Sequence, residues 1–251
     1  MIILKSSREL KLMEKANKIV METFNLLTKK IKPGITTAEI DTMGEEFIRS
    51  KGATPTFKGY RNYPASVCTS INEEVVHGIP GKRTLKNGDI ISLDIGAFYK
   101  GFNGDAARTL PVGEVDEKAE KLIETAKKAF YLSLKEAKAG NRLTDISHAI
   151  QTFVEGKGYS VVREYVGHGI GRKMHEDPQI PNFGPPGRGP VLKSGMTLAI
   201  EPMVNVGGFE VETIDDGWTV VTKDRKLSAH YENTIAITDG KPLILSENQK
   251  K

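Results

Sequence analysis

Four carboxylates in the sequence stand among strand-forming residues. Asp94 ends the apolar run 90–93, and Asp105 follows eleven residues later across a glycine-bearing turn. Glu201 lies between the apolar runs 198–200 and 202–204, while Glu232 directly precedes the strand-like run 233–237. A carboxylate inside such a strand costs free energy unless it is paired or binds a metal. A hairpin joining Asp94 to Asp105 would place both on the inner face of two adjacent strands.

His168 adds one imidazole to this set, and glycines on both sides of it allow close backbone approach. Four carboxylates and one imidazole suit Mn²⁺, Fe²⁺ or Co²⁺ better than a structural zinc, which usually takes Cys and His. Because carboxylates can bridge, five such ligands suggest two metals roughly 3.5 to 4 Å apart that share a water. The residues by themselves therefore indicate a dinuclear metallohydrolase.

Structural interpretations of the same residues stay open. Taken singly, Asp94 or Glu232 also fits an edge charge or an ion-pair partner, and His168 also fits a turn. His230 would share a face with Glu232 only in a regular strand.

Other chemistry fits the sequence less well. Cys68 is the single cysteine, so no intramolecular disulfide can form, and a reducing cytoplasm is favoured. A small buried hydrophobe is the default interpretation of Cys68. A cysteine protease built on Cys68 and His77 lacks any sign of an activated thiolate. The sequence contains neither a Walker A loop nor a Gly-x-Gly-x-x-Gly opening a helix, which argues against nucleotide use.

The elements that must position these residues repeat along the chain at an offset of about 106 residues. Segment 32–40 matches segment 138–146, and each opens an amphipathic helix that stops at a glycine, Gly52 or Gly156. Segment 85–94 matches segment 192–201, a turn followed by a strand that ends on a carboxylate. Asp94 and Glu201 are therefore equivalent positions, which favours a shared role over two unrelated surface charges.

A longer amphipathic helix precedes each short one, over residues 7–30 and 116–137, and Ser6 with Glu9 forms a capping box for the first. Seven strand-like runs follow the pattern of β propensity: 66–71, 90–98, 107–110, 161–165, 197–206, 218–222 and 231–238. We expect an α/β fold with two pseudo-twofold-related halves, which share a curved antiparallel sheet backed by four helices. Residues 1–251 would form a single catalytic domain with an internal repeat, about 8–110 and 115–240.

Composition sets the remaining limits. The chain has 251 residues, 38% hydrophobic and 27% charged, with a formal net charge of +4. These values are typical of a folded domain and not of a disordered tail. No run approaches the ~18 apolar residues of a membrane span, so we expect no membrane association and no signal peptide. The basic residues are interspersed, which argues against sequence-specific nucleic-acid binding.

Two segments carry a resemblance to a known family. With the five candidate ligands, segments 72–80 (NEEVVHGIP) and 166–171 (VGHGIG) resemble type I methionine aminopeptidases over essentially the whole chain. The resemblance implies the pita-bread fold and removal of the initiator methionine from nascent polypeptides in the cytoplasm, with a small second residue preferred. It implies two divalent metal ions, Co, Mn, Fe or Zn, whose shared water attacks the first peptide carbonyl.

The resemblance also assigns roles to the site residues. Asp94 would bind one metal, Asp105 and Glu232 would bridge both, and His168 with Glu201 would complete the other. Glu201 would also move a proton.

Two further histidines match the family as residues that contact the substrate. His175, in a flexible loop 173–178, would donate a hydrogen bond to the substrate carbonyl and the developing oxyanion. His77 would contact the scissile amide nitrogen. The catalytic set is thus His77, His175 and Glu201.

For methionine selection, the residues that match the family's apolar pocket are Tyr60, Tyr63, Cys68 and Trp218. A thioether is recognised by shape and polarizable contact more than by hydrogen bonds. Three positions depart from the family pattern: Phe57, Met174 and Asn233, which follows Glu232 where the family commonly has His.

Two alternatives remain, an X-Pro hydrolase of the same fold and an inactive binding protein. X-Pro hydrolases usually carry a large additional N-terminal domain, and an inactive protein should have lost ligands. For partners, we expect a monomer that visits the ribosome through the basic residues Lys127, Lys128, Lys135, Lys138 and Arg142. A monovalent cation near Asn72 and Ser228 is a further expectation.

Overall fold

The computed structural model describes residues 1–247, in which four α-helices and fourteen strands are found. The helices are α1 Ser7–Thr28, α2 Thr37–Ser50, α3 Glu117–Ser133 and α4 Leu143–Glu155. The strands of the first half are β1 Thr54–Pro55, β2 Val67–Ile71, β3 Glu74–Val76, β4 Ile90–Tyr99 and β5 Phe102–Pro111. Those of the second half are β6 Ser160–Val161, β7 Gly167–Gly169, β8 Glu176–Ile180, β9 Thr197–Ile200, β10 Met203–Asn205, β11 Val211–Thr213, β12 Val220–Thr222, β13 Ser228–Ala236 and β14 Leu243–Ile244.

Eleven strands form one antiparallel sheet, whose main path is β1-β4-β5-β13-β9-β7-β8. Strands β11, β12 and β3 form a smaller three-stranded sheet. The predicted α/β fold with an antiparallel sheet and four helices is confirmed. Among the described residues, no helix combines the length and the apolar character that crossing a membrane requires.

The helices begin where the sequence predicts. Ser6 and Glu9 cap α1 reciprocally, and Thr36 with Glu39 does the same for α2. α1 ends at Thr28 and α3 at Ser133, two and four residues before the predicted ends.

One face of the sheet packs against the helices and forms the core. Leu93 and Ile95 of β4 join Phe24 of α1 in one apolar cluster. Leu198 of β9 joins Phe130 of α3 in a second cluster. Since side chains alternate along a strand, the residues between these apolar positions point to the opposite face. The core therefore decides which residues line the other side of the sheet.

Equivalent contacts recur in the two halves. The Gly34 N–H donates to the Leu85 carbonyl at 2.9 Å, and the Gly140 N–H donates to the Leu192 carbonyl at 3.0 Å. These contacts follow the offset found in the sequence. The boundaries 8–110 and 115–240 and the extent of a single domain stay predictions, and residues 248–251 lie outside the described part of the chain.

Several predictions of extent were wrong, and the run 107–110 is only part of the longer strand β5, Phe102–Pro111. The run 197–206 divides into β9 and β10 at Glu201 and Pro202, because proline has no N–H to continue the ladder. The run 161–165 contributes only the short β6. Residues 173–178, predicted as a flexible loop, include the start of β8, which pairs with β7.

Close approach of α1 to β5 depends on Gly104. A Cβ at this position would lie 2.5 Å from the Asn17 nitrogen and 2.6 Å from the Ala16 carbonyl carbon, both on the α1 backbone. The Asn17 side chain accepts a hydrogen bond from the Asp105 N–H at 3.1 Å. Helix α1 therefore fixes the backbone of a candidate metal ligand.

We predict that Gly104→Ala lowers the free energy of unfolding by about 2 kcal/mol or more, since helix and strand must separate to admit the methyl group. Urea unfolding followed by circular dichroism measures the change. Gly81→Ala is the matched control, because a Cβ there meets nothing within 4 Å. Equal stability of the two variants would contradict the packing argument.

Candidate active site

The register of the central strands places three candidate ligands on the face opposite the helices. Asp94 pairs with Ala107 and Gly96 pairs with Asp105, so the two aspartates share one face of the β4–β5 ladder. Glu232 pairs with Ala107 from the other side and shares that face.

Strands β7 and β9 complete the group. His168 and Thr234 both pair with Ala199, which places His168 on the same face as Glu232. Glu201 follows two residues after Ala199, where β9 ends. His168 Nε2 lies 3.7 Å from Asp105 Oδ2 and 3.7 Å from Glu201 Oε1.

The carboxylates of this cluster are buried close together, so their negative charges repel one another. Buried oxygens of Asp94, Asp105 and Glu232 have no hydrogen-bond partner among the described residues. Burial raises the pKa of Asp94, Asp105 and Glu201 well above the ordinary range, and the charge of Glu232 raises each further. Burial also raises the pKa of Glu232 to about 7, although Asp105 and Arg108 act against this rise.

This donor set fits divalent metal ions. One ligand atom from each of Asp105, His168 and Glu232 lies within 4.8 Å of the others. Burial, with a smaller effect of His175, lowers the pKa of His168 to about 3, which leaves the ring neutral as metal binding requires. Its Nδ1 lies 2.9 Å from the Gly169 carbonyl oxygen, so Nε2 faces the carboxylates.

His230 belongs to the same cluster, which the sequence left open. Strand β13 is regular from Ser228 to Ala236, so His230 and Glu232 share a face. His230 Nε2 lies 3.9 Å from Glu201 Oε2 and has no hydrogen-bond partner among the described residues. The i, i+2 spacing of His230 and Glu232 was the sequence feature that could have placed His230 in the site. It was inconclusive because the sequence did not show that the strand continues without a break through His230.

The two histidines matched to substrate contacts lie beside this cluster. The His175 ring centroid is 4.3 Å from that of His168, and its Nδ1 forms a 2.7 Å hydrogen bond with the Tyr60 hydroxyl. His77 packs edge-on against Tyr165, with ring centroids 5.5 Å apart. Burial lowers the pKa of His77 to about 4 and also lowers that of His175. Both rings are therefore neutral near pH 7.

A cavity of about 360 Å³ joins these groups. Its lining includes all predicted site residues: Asp94, Asp105, His168, Glu201, Glu232, His77, His175, Tyr60, Tyr63, Cys68 and Trp218. Tyr63 packs edge-on against Trp218 with centroids 5.1 Å apart, and its hydroxyl donates to the Gly78 carbonyl at 2.8 Å. Further lining residues, for which no sequence pattern indicated a role, are Tyr165, Val76, Arg61, Glu164 and Gln179.

The three departures from the family pattern fall in different places. Phe57 and Met174 line the cavity. Asn233 points to the helix face instead, since it alternates with Glu232 along β13. Its Oδ1 accepts a 2.6 Å hydrogen bond from Arg108, whose guanidinium also donates to the main-chain carbonyl of Glu232. Asn233 thus supports the strand from behind.

The residues with other predicted roles, in cation binding and ribosome contact, do not line this cavity. The Asn72 carbonyl accepts the Ser228 N–H at 2.9 Å. Lys127, Lys128, Lys135, Lys138 and Arg142 are exposed on α3 and on the connection to α4.

Relatives with similar sequences span nearly the whole chain. The methionine aminopeptidase of Clostridium perfringens is 59% identical, with 98% of this chain and 99% of the relative covered. Methionine aminopeptidase 1 of Bacillus subtilis is 58% identical, with 95% and 96% covered.

Solved structures agree with this similarity. A crystal structure of methionine aminopeptidase from Thermotoga maritima has a TM-score of 0.97 and 47% identity, with 99% of this chain and all of that chain covered. The prolidase of Pyrococcus horikoshii OT3 has a TM-score of 0.81 at 24% identity, and only 65% of its chain is covered. The second similarity concerns the fold alone, the pita-bread arrangement that the family resemblance implies.

A family model agrees with both comparisons. Residues 11–239 match metallopeptidase family M24, a span that includes every candidate ligand. The chain belongs to metallopeptidase family M24.

Proposed function

We propose that the chain is a metal-dependent aminopeptidase that removes the N-terminal methionine of polypeptides and prefers a small second residue. One observation carries the proposal: the carboxylate cluster and the apolar pocket line the same cavity. A methionine side chain in that pocket would bring the first peptide carbonyl next to the cluster. The similarity to methionine aminopeptidases across nearly the full chain supports the same activity.

The five clustered side chains would hold two divalent metal ions, Co, Mn, Fe or Zn. Asp94 would bind one ion, Asp105 and Glu232 would lie between the two, and His168 with Glu201 would hold the other. The unpartnered buried oxygens support this assignment, because bound cations satisfy them. When bound, such ions act as Lewis acids and acidify water near neutral pH.

The apolar side of the cavity would select the methionine side chain. Tyr63 and Trp218 present an edge-on aromatic pair, and Cys68 is buried beside them. Aromatic edges and a sulfur atom are polarizable, so they stabilise a thioether without a hydrogen bond.

His175 would donate a hydrogen bond to the substrate carbonyl. If the Tyr60 hydroxyl donates to Nδ1, the ring proton resides on Nε2, which is then the donor towards substrate. A neutral donor placed where negative charge develops lowers the barrier of the attack step. Tyr60 would therefore both fix the tautomer of His175 and line the methionine pocket.

Glu201 would take a proton from the attacking water and deliver it to the leaving amine. The Glu201 carboxylate lines the cavity beside the other proposed ligands, with Oε1 3.7 Å from His168 Nε2, so it reaches a water held in this cluster. His77, neutral and held edge-on between aromatic rings, would contact the scissile amide nitrogen. These roles give the proposed catalytic set His77, His175 and Glu201.

Partners and location follow from the proposed substrate. Nascent polypeptide N-termini would be met in the cytoplasm by a monomer that contacts the ribosome transiently. The exposed basic group on α3 and after it supports an electrostatic contact with ribosomal RNA phosphates. A monovalent cation near Asn72 and Ser228 is part of the same proposal; the two backbones are adjacent, since the Ser228 N–H donates to the Asn72 carbonyl at 2.9 Å.

Peptide cleavage should depend on added metal. Chelator-stripped protein should release no methionine from Met-Ala-Ser, and added Mn²⁺, Fe²⁺, Co²⁺ or Zn²⁺ should restore release, because metal supplies the Lewis acid. Leu-Ala-Ser and Ala-Pro-Ala should stay intact. Cleavage of Ala-Pro-Ala would favour an X-Pro hydrolase, and two bound metals without any cleavage would favour a binding protein.

Removal of one cluster carboxylate should change how the stability of the protein depends on metal. In chelator, Asp105→Asn should unfold at the same temperature as the unchanged protein or higher, because it removes one of several buried like charges. With Mn²⁺ at about 100 times its Kd, the unchanged protein should gain about 2.7 kcal/mol for each bound ion. Asp105→Asn should gain far less.

Differential scanning fluorimetry measures both states. Asp239→Asn, at an exposed position, is the control and should match the unchanged protein in each. A large loss of stability of Asp105→Asn in chelator would show that Asp105 serves the fold and not a metal.

The proposed ribosome contact should depend on the exposed lysines of α3 and of the segment after it. Changing Lys127, Lys135 and Lys138 to Gln should weaken co-sedimentation with ribosomes and reduce its salt dependence, since fewer phosphates are neutralised. Tripeptide cleavage should stay unchanged. The same change at Lys11, Lys15 and Lys18 on α1 is the control. Salt-insensitive co-sedimentation, or none, would rule out this contact.

A further inference from the structure

A buried ion pair joins the start of the chain to the segment that carries His175. Lys5 Nζ lies 2.5 Å from Glu176 Oε2, and the two side chains are only 4% and 6% exposed. The residues just before Lys5 are open to solvent, since Ile3 is 55% and Leu4 48% exposed. Burial is therefore specific to Lys5 within this segment.

Both partners make additional contacts that fix their positions. Lys5 Nζ also donates to the Ile3 carbonyl at 3.0 Å, and the Lys5 N–H donates to the Gly195 carbonyl at 2.7 Å. Glu176 Oε1 accepts the Lys173 N–H at 3.2 Å. The pair thus connects three separate parts of the main chain.

Gly171 provides the space for this pair. A Cβ at Gly171 would lie 2.5 Å from Lys5 Cε and 2.7 Å from Glu176 Oε1. The Gly171 carbonyl in turn accepts the Asn103 N–H at 2.8 Å. The turn between His168 and His175 therefore closes directly over the two charged groups.

Glu176 lies directly beside His175 in the chain and at the start of a strand. It is the first residue of β8, it pairs with Gly169 at an irregularity of the β7–β8 ladder, and it directly follows His175. The His175 ring is held by its hydrogen bond with the Tyr60 hydroxyl. The next side-chain interaction along the chain is the ion pair of the adjacent residue Glu176 with Lys5. Its position sets where the His175 backbone lies.

Stability alone is a weak reason for such a pair. Desolvating two charges offsets most of their attraction, and apolar replacements of buried pairs are often neutral or stabilising. Loss of one partner leaves an uncompensated buried charge, which would displace its segment. The geometry next to His175 points instead to a role in catalysis.

We propose that Lys5 is a positioning residue for His175 and acts through its ion pair with Glu176. This inference rests on the proposed contact of His175 with the substrate carbonyl. Displacement of a catalytic group by about 1 Å can cost about a hundredfold in rate. Loss of the pair therefore weakens a contact made in the transition state and leaves methionine binding intact.

The test compares Lys5→Met, Lys5→Arg and the double variant Lys5→Met/Glu176→Gln on Met-Ala-Ser with metal-loaded protein. Lys5→Met should lower kcat at least about tenfold with little change in KM or metal content, and Lys5→Arg should recover part of the loss. Lys121→Met, which breaks an exposed pair with Glu117, is the control. An unchanged kcat for Lys5→Met would overturn the proposal.

The double variant covers a failure of Lys5→Met to fold, because it leaves no unpaired buried charge. It should fold and still show the lowered kcat. A double variant with the kcat of the unchanged protein would overturn the proposal equally.

A second background separates positioning from a general effect. In His175→Ala protein, Lys5→Met should change kcat by less than about twofold, since the group it positions is missing. Equal losses in both backgrounds would overturn the proposal. If His175→Ala itself keeps full activity, the proposed role of His175 fails instead.

Nuclear magnetic resonance gives a readout that is independent of activity. The chain has five histidines, so five ring Hε1 signals are expected, and His175→Ala identifies its own. In zinc-loaded Lys5→Met, the His175 signal should shift while that of the exposed His148 on α4 stays in place. An unmoved His175 signal would overturn the proposal even if kcat falls.

Discussion

Repulsion among buried carboxylates on one face of the central sheet is the constraint on which the structure depends. Asp94, Asp105, Glu201 and Glu232 are brought together by strand register, and burial raises the pKa of each. The charge of Arg108 acts to lower the pKa of Glu232, but burial still raises that pKa to about 7. The fold therefore holds these side chains in a state that only bound cations, or protons in their place, make favourable.

The helix face supplies the rigidity that this requires. The ligand-bearing strands β4, β5 and β13, together with β9, which ends just before Glu201, have apolar side chains that pack against the helices in two clusters. Gly104 lets α1 approach β5, and Arg108 ties β5 to the backbone of Glu232. The carboxylates cannot move apart without opening this core. Packing on the helix face of the sheet therefore holds the carboxylates close together on the other face, although they repel one another.

The sequence predicted those features of the structure that depend on residues close together in the chain. Acids inside apolar runs identified Asp94 and Glu201, and the internal repeat identified them as equivalent positions. The capping box of Ser6 and Glu9 located the start of α1. These features depend on neighbours in the chain, which the sequence displays directly.

Features set by distant residues could not be predicted in the same way. Strand β8 is recognised by its pairing with β7, because its own residues, which include Pro178, have the pattern of a loop. The pairing of Lys5 with Glu176 joins positions that no local pattern relates. His230 depended on the regularity of β13, which is set by strands on both sides. The pocket residues were assigned through the family resemblance, since aromatic residues alone do not distinguish a pocket from a core.

The most direct test of the account is a crystal structure with Mn²⁺ and an anomalous difference map recorded at the manganese edge. The account predicts two peaks enclosed by the side chains of Asp94, Asp105, His168, Glu201 and Glu232, with Asp105 and Glu232 contacting both. A map without peaks in this cluster, or with manganese bound only elsewhere on the protein, would contradict it.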